Sequence, residues 1–577
     1  MIWWMSDLLR YRKEREELNA LAGASSWLIP RGWRIDSELH VIWDGEILVG
    51  DERRVVSLRY PGHFPHSPPS VLPRNTTERW SGHQYGAHGE LCLEYGPDNW
   101  HPDISGAEMI RSVYRLLSGE QTANGDASEV LSRHETTLGQ DLRAVRRRFF
   151  ITRDVLSMIE TMPTGALWAG ETVQLINSDT RVSAVISITT EGAEQWKAML
   201  PEPLHDAYGW PTSFVRVPEG TPLPPKGKWS ELQAALQAMG ISVPTSRFAL
   251  FACGEELFAY SVFEDSDEFF PAAVVIENPP AKRLDDAHAA LTERKVGIVG
   301  CGSLGSKVAV TLARSGVGQF LLVDDDVFLP ENLIRHDLDW RDVARHKADA
   351  VSSRVQLTNP SAVCAVRRDR LGGQESSGSL DSLIEALGAC DLLVDASAEP
   401  KVFNYLSAAA TLWKKPFVWG EVFAGGIGGL IARYRPEIEP DPQSIRRNYF
   451  SWCAEQGHQV PRPAGKYEGG EGAPFIADDG EVSIIAGHVA RFAVDLLIPR
   501  VPSLFPYSVY VVSLGHGWMF EEPFQVYPIT LSTAAATEKT ELTPEETQAE
   551  FNRILDLLKE YQNATAPAGA DAEAPSA

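Results

Sequence analysis

Apolar residues along this chain follow three rhythms, and each marks a different kind of element. From residue 7 to 22 they recur at helical spacing within a charged stretch, which predicts an amphipathic first helix. Through 39–49 and 55–60 they alternate, predicting a hairpin of half-buried strands, and 182–189 and 248–251 read as further strands. At 296–299 the apolar run is unbroken, as in a strand covered on both faces. It enters Gly300, Gly302 and Gly305, then a helix carrying Val308, Leu312 and Ala313. Ser105 and Glu108 form a capping box ahead of Ile110, Val113 and Leu117, and residues 482–497 read as an apolar helix. Thr543-Pro544-Glu545-Glu546 starts a last helix, which carries Phe551, Ile554, Leu555 and Leu558. Residues 218–228 are a Pro- and Gly-rich break, and the Ala-, Pro- and Gly-rich tail from Asn563 is expected to be disordered. The basic run from Arg143 to Arg148 is expected to be a solvated helix face, or alternatively a receiver for an acidic partner.

At 577 residues the chain should hold three or four domains. We expect a first domain over 1–150, a linker or docking domain over 151–284, a third domain over 285–535, and a terminal helix and tail over 536–577. A net charge of −25 argues against nucleic-acid binding and against anchoring to an anionic membrane. No apolar run reaches membrane-spanning length, and the N-terminus is too short for a secretion signal, so a cytoplasmic location is expected. Six cysteines without paired spacing suggest a reducing compartment, with no disulfide framework and no zinc site.

The glycine turn at 300–305 leaves free N–H groups at the start of the following helix, beginning with Ser303, which can hold phosphate oxygens. Alone, it fits a dinucleotide dehydrogenase as well as an ATP site. The next strand ends on Asp324, Asp325 and Asp326, and Asn332, Arg335 and Lys347 follow. Carboxylates with two fixed cations beside a phosphate-binding helix suit a nucleoside triphosphate. This composite, over about 296–429, resembles the adenylating domain of ubiquitin-activating enzymes and of ThiF- and MoeB-type bacterial proteins. The resemblance implies a Rossmann-type α/β fold that uses ATP and Mg2+. It puts Asp324 on the ribose, Asp326 beside the phosphates and metal, and Asn332, Arg335 and Lys347 on the triphosphate. Where the family carries a metal-binding aspartate this chain has Ala398, leaving Glu399 or Asp395 to serve.

A lone strand cysteine such as Cys92 is by itself a small buried residue. Its surroundings argue otherwise. Phe64-Pro65-His66-Ser67-Pro68-Pro69, then Gly89-Glu90-Leu91-Cys92-Leu93, then Trp100 and Pro102, resemble the ubiquitin-conjugating α+β fold over about 5–125. The resemblance implies that Cys92 carries a thioester, which keeps an acyl group activated for an amine. The family's His-Pro-Asn is replaced by Gly82-His83-Gln84, so Gln84, which can donate an amide N–H, and His83 or His88 are the candidates for polarising the carbonyl, unless the histidines are ordinary loop residues. Cys453 precedes a polar stretch that runs to residue 480. We expect it in a mobile loop, where the activating superfamily often keeps its own acyl-accepting thiol.

An activating and a conjugating unit in one chain resemble the bacterial fusion proteins of anti-phage cyclic-oligonucleotide (CBASS) operons. That resemblance implies a cGAS-like nucleotidyltransferase as acyl donor, a target protein offering a lysine amine, a JAB-type peptidase that reverses the reaction, and a homodimer. A sulfur-carrier adenylyltransferase, a ligase for a bacterial ubiquitin-like modifier and a non-catalytic scaffold remain as alternatives.

Overall fold

The computed structural model describes residues 2–86, 88–120, 139, 142–190, 195–205, 207–277, 285–373, 377–459, 476–498, 500–532 and 542–565. The chain divides into two compact units, Met1–Val145 and Arg146–Ala577.

In the first unit, helix α1 (Leu8–Ala24) is capped by the Asp7 carboxylate, which accepts from the Arg10 N–H at 2.9 Å. An antiparallel meander follows: β1 (Leu28–Ile35), β2 (Val41–Val49), β3 (Glu52–Arg59) and β4 (Ser70–Pro73). Helix α2 (Gly106–Glu120) lays Ile110, Val113 and Leu117 into one core with Leu18, Trp43, Ile47 and Leu58. One buried carboxylate ties these layers together. Glu14 accepts from the Tyr60 hydroxyl at 2.8 Å and from the Gly106 N–H at 2.7 Å, and it pairs with Arg10. It thereby satisfies a donor at the start of α2 and links that helix to α1 and the strand exit. Burial raises the Glu14 pKa in spite of these partners.

The second unit opens differently from expectation. Leu142–Ala144, at the end of the first unit, makes a single helical turn, and Arg147–Ile151 is a strand, β5. Arg147, Phe149 and Ile151 alternate toward one side, and that period of two overrides the helix-friendly arginines. After α3 (Arg153–Glu160) come β6 (Leu167–Asn177), β7 (Arg181–Thr189), β8 (Gly209–Val217), helix α4 (Trp229–Ala238), β9 (Phe248–Cys253), β10 (Glu256–Phe263) and β11 (Glu268–Ile276). The order β7-β5-β11-β10-β9-β8-β6 closes when β6 pairs again with β7. The result is a seven-stranded barrel. Its interior holds Phe149, Ile151, Val185, Phe214, Leu250 and Ala259, with Val155 and Ile159 of α3.

Downstream lies an eight-stranded sheet with helices on its faces. Its elements are β12 (Lys295–Val299), α5 (Ser303–Ser315), β13 (Gln319–Val323), α6 (Lys347–Thr358), β14 (Val363–Arg367), β15 (Leu392–Asp395), α7 (Pro400–Leu412), β16 (Phe417–Val422), β17 (Gly428–Tyr434), α8 (Pro442–Glu455), α9 (Asp479–Leu497), β18 (Val509–Ser513) and β19 (Val526–Ile529). The order is β14-β13-β12-β15-β16-β17-β18-β19, parallel up to β16 and antiparallel beyond. The strand order reverses between β12 and β15, where open α/β sheets bind ligands. Helix α9 is locked to β17 by a buried pair: Arg433 donates to Asp495 at 2.7 Å and to the Phe505 carbonyl at 2.7 Å.

A final helix, α10 (Pro544–Thr565), begins with the expected capping box, the Glu546 N–H reaching the Thr543 hydroxyl at 3.3 Å. Phe551, Ile554 and Leu558 on it are exposed. The helix runs through 563–565, the first residues of the tail expected to be disordered, and the rest of that tail lies outside the described residues. Among the described residues no helix is long and apolar enough to cross a membrane.

Candidate active site

Sterics builds the turn after β12. Gly300 has φ +90°, and a Cβ there would sit 2.8 Å from the Ser397 backbone nitrogen. A Cβ on Gly305 would lie 1.8 Å from the Gly300 carbonyl oxygen. Only glycine fits either place, so bare backbone leads from the strand through Gly302 to Ser303 at the start of α5.

Side chains from neighbouring strand ends brace this turn. Asp324 accepts from the Cys301 N–H at 2.6 Å and the Asp326 N–H at 2.8 Å. Burial is the largest influence on it and raises its pKa. Buried Lys347 donates its ammonium to the Asp326 carboxylate and its N–H to the Asp326 carbonyl at 2.9 Å. Burial opposes charge on Asp326, but the Lys347 hydrogen bond, the Val327 N–H and the charges of Lys347 and Arg370 outweigh it and hold the carboxyl below its usual range. Asn332 accepts from the Leu329 N–H at 3.0 Å, and Arg335 donates to the Ala477 carbonyl at 3.3 Å.

Three further participants were not read from the sequence. His336 Nε2 lies 2.8 Å from the Cys301 carbonyl, and burial lowers its pKa to about 4, so the neutral ring donates to the turn. Lys307 of α5 pairs with Asp479 of α9 at 2.6 Å. Arg370 lies close enough to Asp326 to lower its pKa and stands 3.8 Å from Glu399. Each partner is far away in the chain, so only an isolated charge or histidine was visible.

At the end of β15, Asp395 is buried and accepts from the Ser397 N–H and hydroxyl at 2.9 and 2.7 Å. Burial raises its pKa to about 6. Ala398 adopts φ +56°, and Glu399 is an exposed N-cap of α7. Asp395, Asp326 and Glu399 do not form a three-ligand cluster; among the described residues such a grouping is Asp36, Glu38 and His40 in the first unit. The donor set fits a hard cation that arrives with phosphate oxygens, which needs only one or two protein carboxylates.

In the first unit, Cys92 is partly exposed, and its N–H donates to the His83 carbonyl at 2.8 Å. Burial raises its thiol pKa. Gln84 is committed to the loop: its Oε1 accepts from the Trp80 and Ser81 N–H groups, and its Nε2 donates to the Gly89 carbonyl at 2.9 Å. His83 takes its N–H to the Ser81 hydroxyl at 2.8 Å. The Trp100 indole N–H donates to the Pro65 carbonyl at 2.7 Å across the proline-rich exit. Burial, then the charges of Glu90 and Cys92, raise the pKa of the Tyr85 phenol. Tyr85, whose phenol responds to that thiol, carried no signal in the sequence.

Cys453 is not on a loop. It lies in the last turn of α8, 1% exposed, and burial raises its thiol pKa to about 11. Asp441 caps that helix through the Ser444 N–H at 3.0 Å and Pro442 fills its first position, so the helix extends through Cys453 to Glu455.

Residues 281–462 match the ThiF family, so the chain carries a ThiF-family domain in its C-terminal region. An uncharacterized protein, y4oA, of Sinorhizobium fredii is 30% identical over 240 residues, 37% of each chain. The ATP-dependent ubiquitin transferase-like protein Cap2 of Pseudomonas aeruginosa is 28% identical over 137 residues, 22% of this chain and 23% of that protein. The sulfur carrier protein ThiS adenylyltransferase of Escherichia coli is 28% identical over 172 residues, 28% of this chain and 65% of that protein. The match thus spans little more than a third of the first relative's length and about a quarter of the Cap2 protein's.

Proposed function

From a chain with a ThiF-family domain over residues 281–462, we propose an enzyme that uses ATP to activate a protein's C-terminal carboxylate and transfers the acyl group onward through Cys92. One observation carries the reading: the glycine-only turn, Lys347 paired with Asp326, and the His336 brace meet where the strand order reverses. A carboxylate oxygen attacks the α-phosphorus of ATP, the bond to pyrophosphate breaks, and an acyl adenylate forms. The N–H groups of Gly302, Ser303 and Gly305 at the start of α5 cradle the phosphates, Gly300 making the close approach possible, Lys347, Arg335 and Asn332 contact them, and Asp324 takes the ribose. Asp326, with Glu399, would hold Mg2+, which neutralises phosphate charge.

The first unit, a helix, a four-stranded meander and a second helix around the Cys92 loop, supports the conjugating-like reading. The Cys92 thiolate attacks the acyl carbon, AMP or an intermediate thiol leaves, and a lysine amine then displaces Cys92. Following the resemblance to the CBASS fusion proteins drawn from the sequence, the donor would be a cGAS-like nucleotidyltransferase in an anti-phage operon, with a JAB-type peptidase as the reverse activity and a homodimer as the working form. Cys453 remains the candidate first thiol, and acting there requires α8 to open.

That burial favours a second reading: adenylation of a sulfur carrier without a thiol on this domain, in line with the likeness to the ThiS adenylyltransferase. ATP–pyrophosphate exchange and intact-mass spectrometry with donor separate the two. Wild type should exchange and form a thiol-labile adduct, and Cys92→Ala should keep exchange and lose the adduct. Loss of the Cys92 adduct in Cys453→Ala establishes the relay, and its persistence establishes direct transfer from the adenylate. An adenylate with no thioester on either cysteine sinks the conjugating reading.

A further inference from the structure

The barrel of the second unit ends in an arrangement that adenylation does not use. Arg147 on β5 has the same parity as Phe149 and Ile151, and Arg181 on β7 the same parity as Ser183 and Val185. Phe149, Ile151 and Val185 belong to the barrel core, so the two arginines stand on its inner side at one end. Arg247, just before β9, joins them. All three guanidinium carbons lie within 5.9 Å of the centroid of one ring, Phe263: Arg147 at 5.8 Å, Arg181 at 5.9 Å and Arg247 at 4.6 Å. Phe270 and Trp210 pack on Arg147 and Arg247 from further sides, at 4.8 and 5.5 Å.

The chain carries 78 acidic against 53 basic residues, yet no carboxylate among the described residues pairs with any of these three arginines. Arg147 Nε is buried without a hydrogen-bond partner. Arg247 donates to the Val262 carbonyl at 3.3 Å. Burial first, then the charges of the neighbouring arginines, depresses the basicity of Arg147, and Arg247 responds in the same way to burial and Arg181. Three like charges held together by aromatic faces are a standing cost that a matching anion would relieve. Between them opens a cleft of about 10 Å³ that Gln174, Ser183 and Ser261 also line. That is the room of about one water, so the anion would seat at its mouth, where all three arginines are partly exposed.

We propose that this end of the barrel binds a phosphate group, either as the free anion or on a small phosphorylated molecule. A carboxylate brings one charge and two oxygens, and leaves two guanidiniums unbalanced. Phosphate brings nearly two charges and enough acceptors for bidentate contacts with more than one arginine.

The test uses the full chain and inorganic phosphate or glycerol 3-phosphate, at ionic strength matched with chloride. Phenylglyoxal modification of Arg147, Arg181 and Arg247, read by peptide mass mapping, should slow at least about tenfold with saturating ligand. Equal protection by both ligands assigns the free anion, and stronger protection by glycerol 3-phosphate assigns a phosphorylated molecule. Labelling rates unchanged by either ligand at millimolar concentration overturn the proposal. Equilibrium dialysis gives an independent reading. Wild type should bind one more phosphate per chain than Arg147→Gln/Arg247→Gln, whereas phosphate at the adenylation site is common to both. Equal stoichiometry in the two proteins also overturns the proposal.

Discussion

The nucleotide turn and the Cys92 loop are both short connections that present chemistry, but they are held by opposite means. At the turn, close backbone approach decides everything: no side chain fits at Gly300 or Gly305, and a neutral histidine props the loop from below. At the Cys92 loop, one amide side chain holds the shape, with Gln84 satisfying two N–H groups and a carbonyl around the thiol. The first construction tolerates no added atom. The second tolerates substitution but loosens when the amide is lost.

Three changes test this contrast. The largest effect is expected from Gly305→Ala, whose Cβ would overlap the Gly300 carbonyl at 1.8 Å. Displacing the phosphate cradle by about 1 Å should lower pyrophosphate exchange at least ~100-fold. Near-normal exchange would show that the turn relaxes and that packing there is not decisive. A smaller effect is expected from Gln84→Ala: acyl transfer to Cys92 should slow by about tenfold through a loosened loop, with pyrophosphate exchange unchanged. A fall in both rates would mean that Gln84 matters to the fold of its unit as a whole.

The smallest effect is on stability and concerns the histidine. His336 has its folded pKa lowered to about 4 from an ordinary 6.5, so the unfolded chain binds the extra proton first as pH falls. Its contribution is intact above pH 6.5 and fades toward pH 4, by at most about 3 kcal/mol. Thermal melts across that range should therefore fall more steeply for wild type than for His336→Gln. Parallel curves would remove the histidine from the account of the turn.

The same contrast explains what the sequence disclosed. Gly300, Gly302 and Gly305 were legible because steric exclusion leaves one residue type, and Asp324, Asp326 and Lys347 because their spacing from that turn accompanies it. The paired strands, α9 and the Thr543 capping box were legible from local periodicity and cap chemistry. His336, Lys307, Arg370 and Tyr85 were not, since each acquires meaning only beside a partner brought in by folding. Cys453 was placed on a loop because polar residues follow it, although Asp441-Pro442 upstream is a helix start that outweighs them. The arginine run was assigned to a helix because its charges masked the alternation of Arg147, Phe149 and Ile151.

The ion pair between Lys347 and Asp326 has a consequence for the order in which ligands are welcome. A divalent cation arriving alone must compete with an ammonium already seated on the carboxylate. Under the proposed function, a triphosphate would offer that ammonium a better anion and leave Asp326 for the metal. Nucleotide and cation would then draw on one shared counter-charge, and each would raise the other's affinity by the same factor. The lysine keeps the carboxylate neutralised until both arrive, so the pair acts as an interlock.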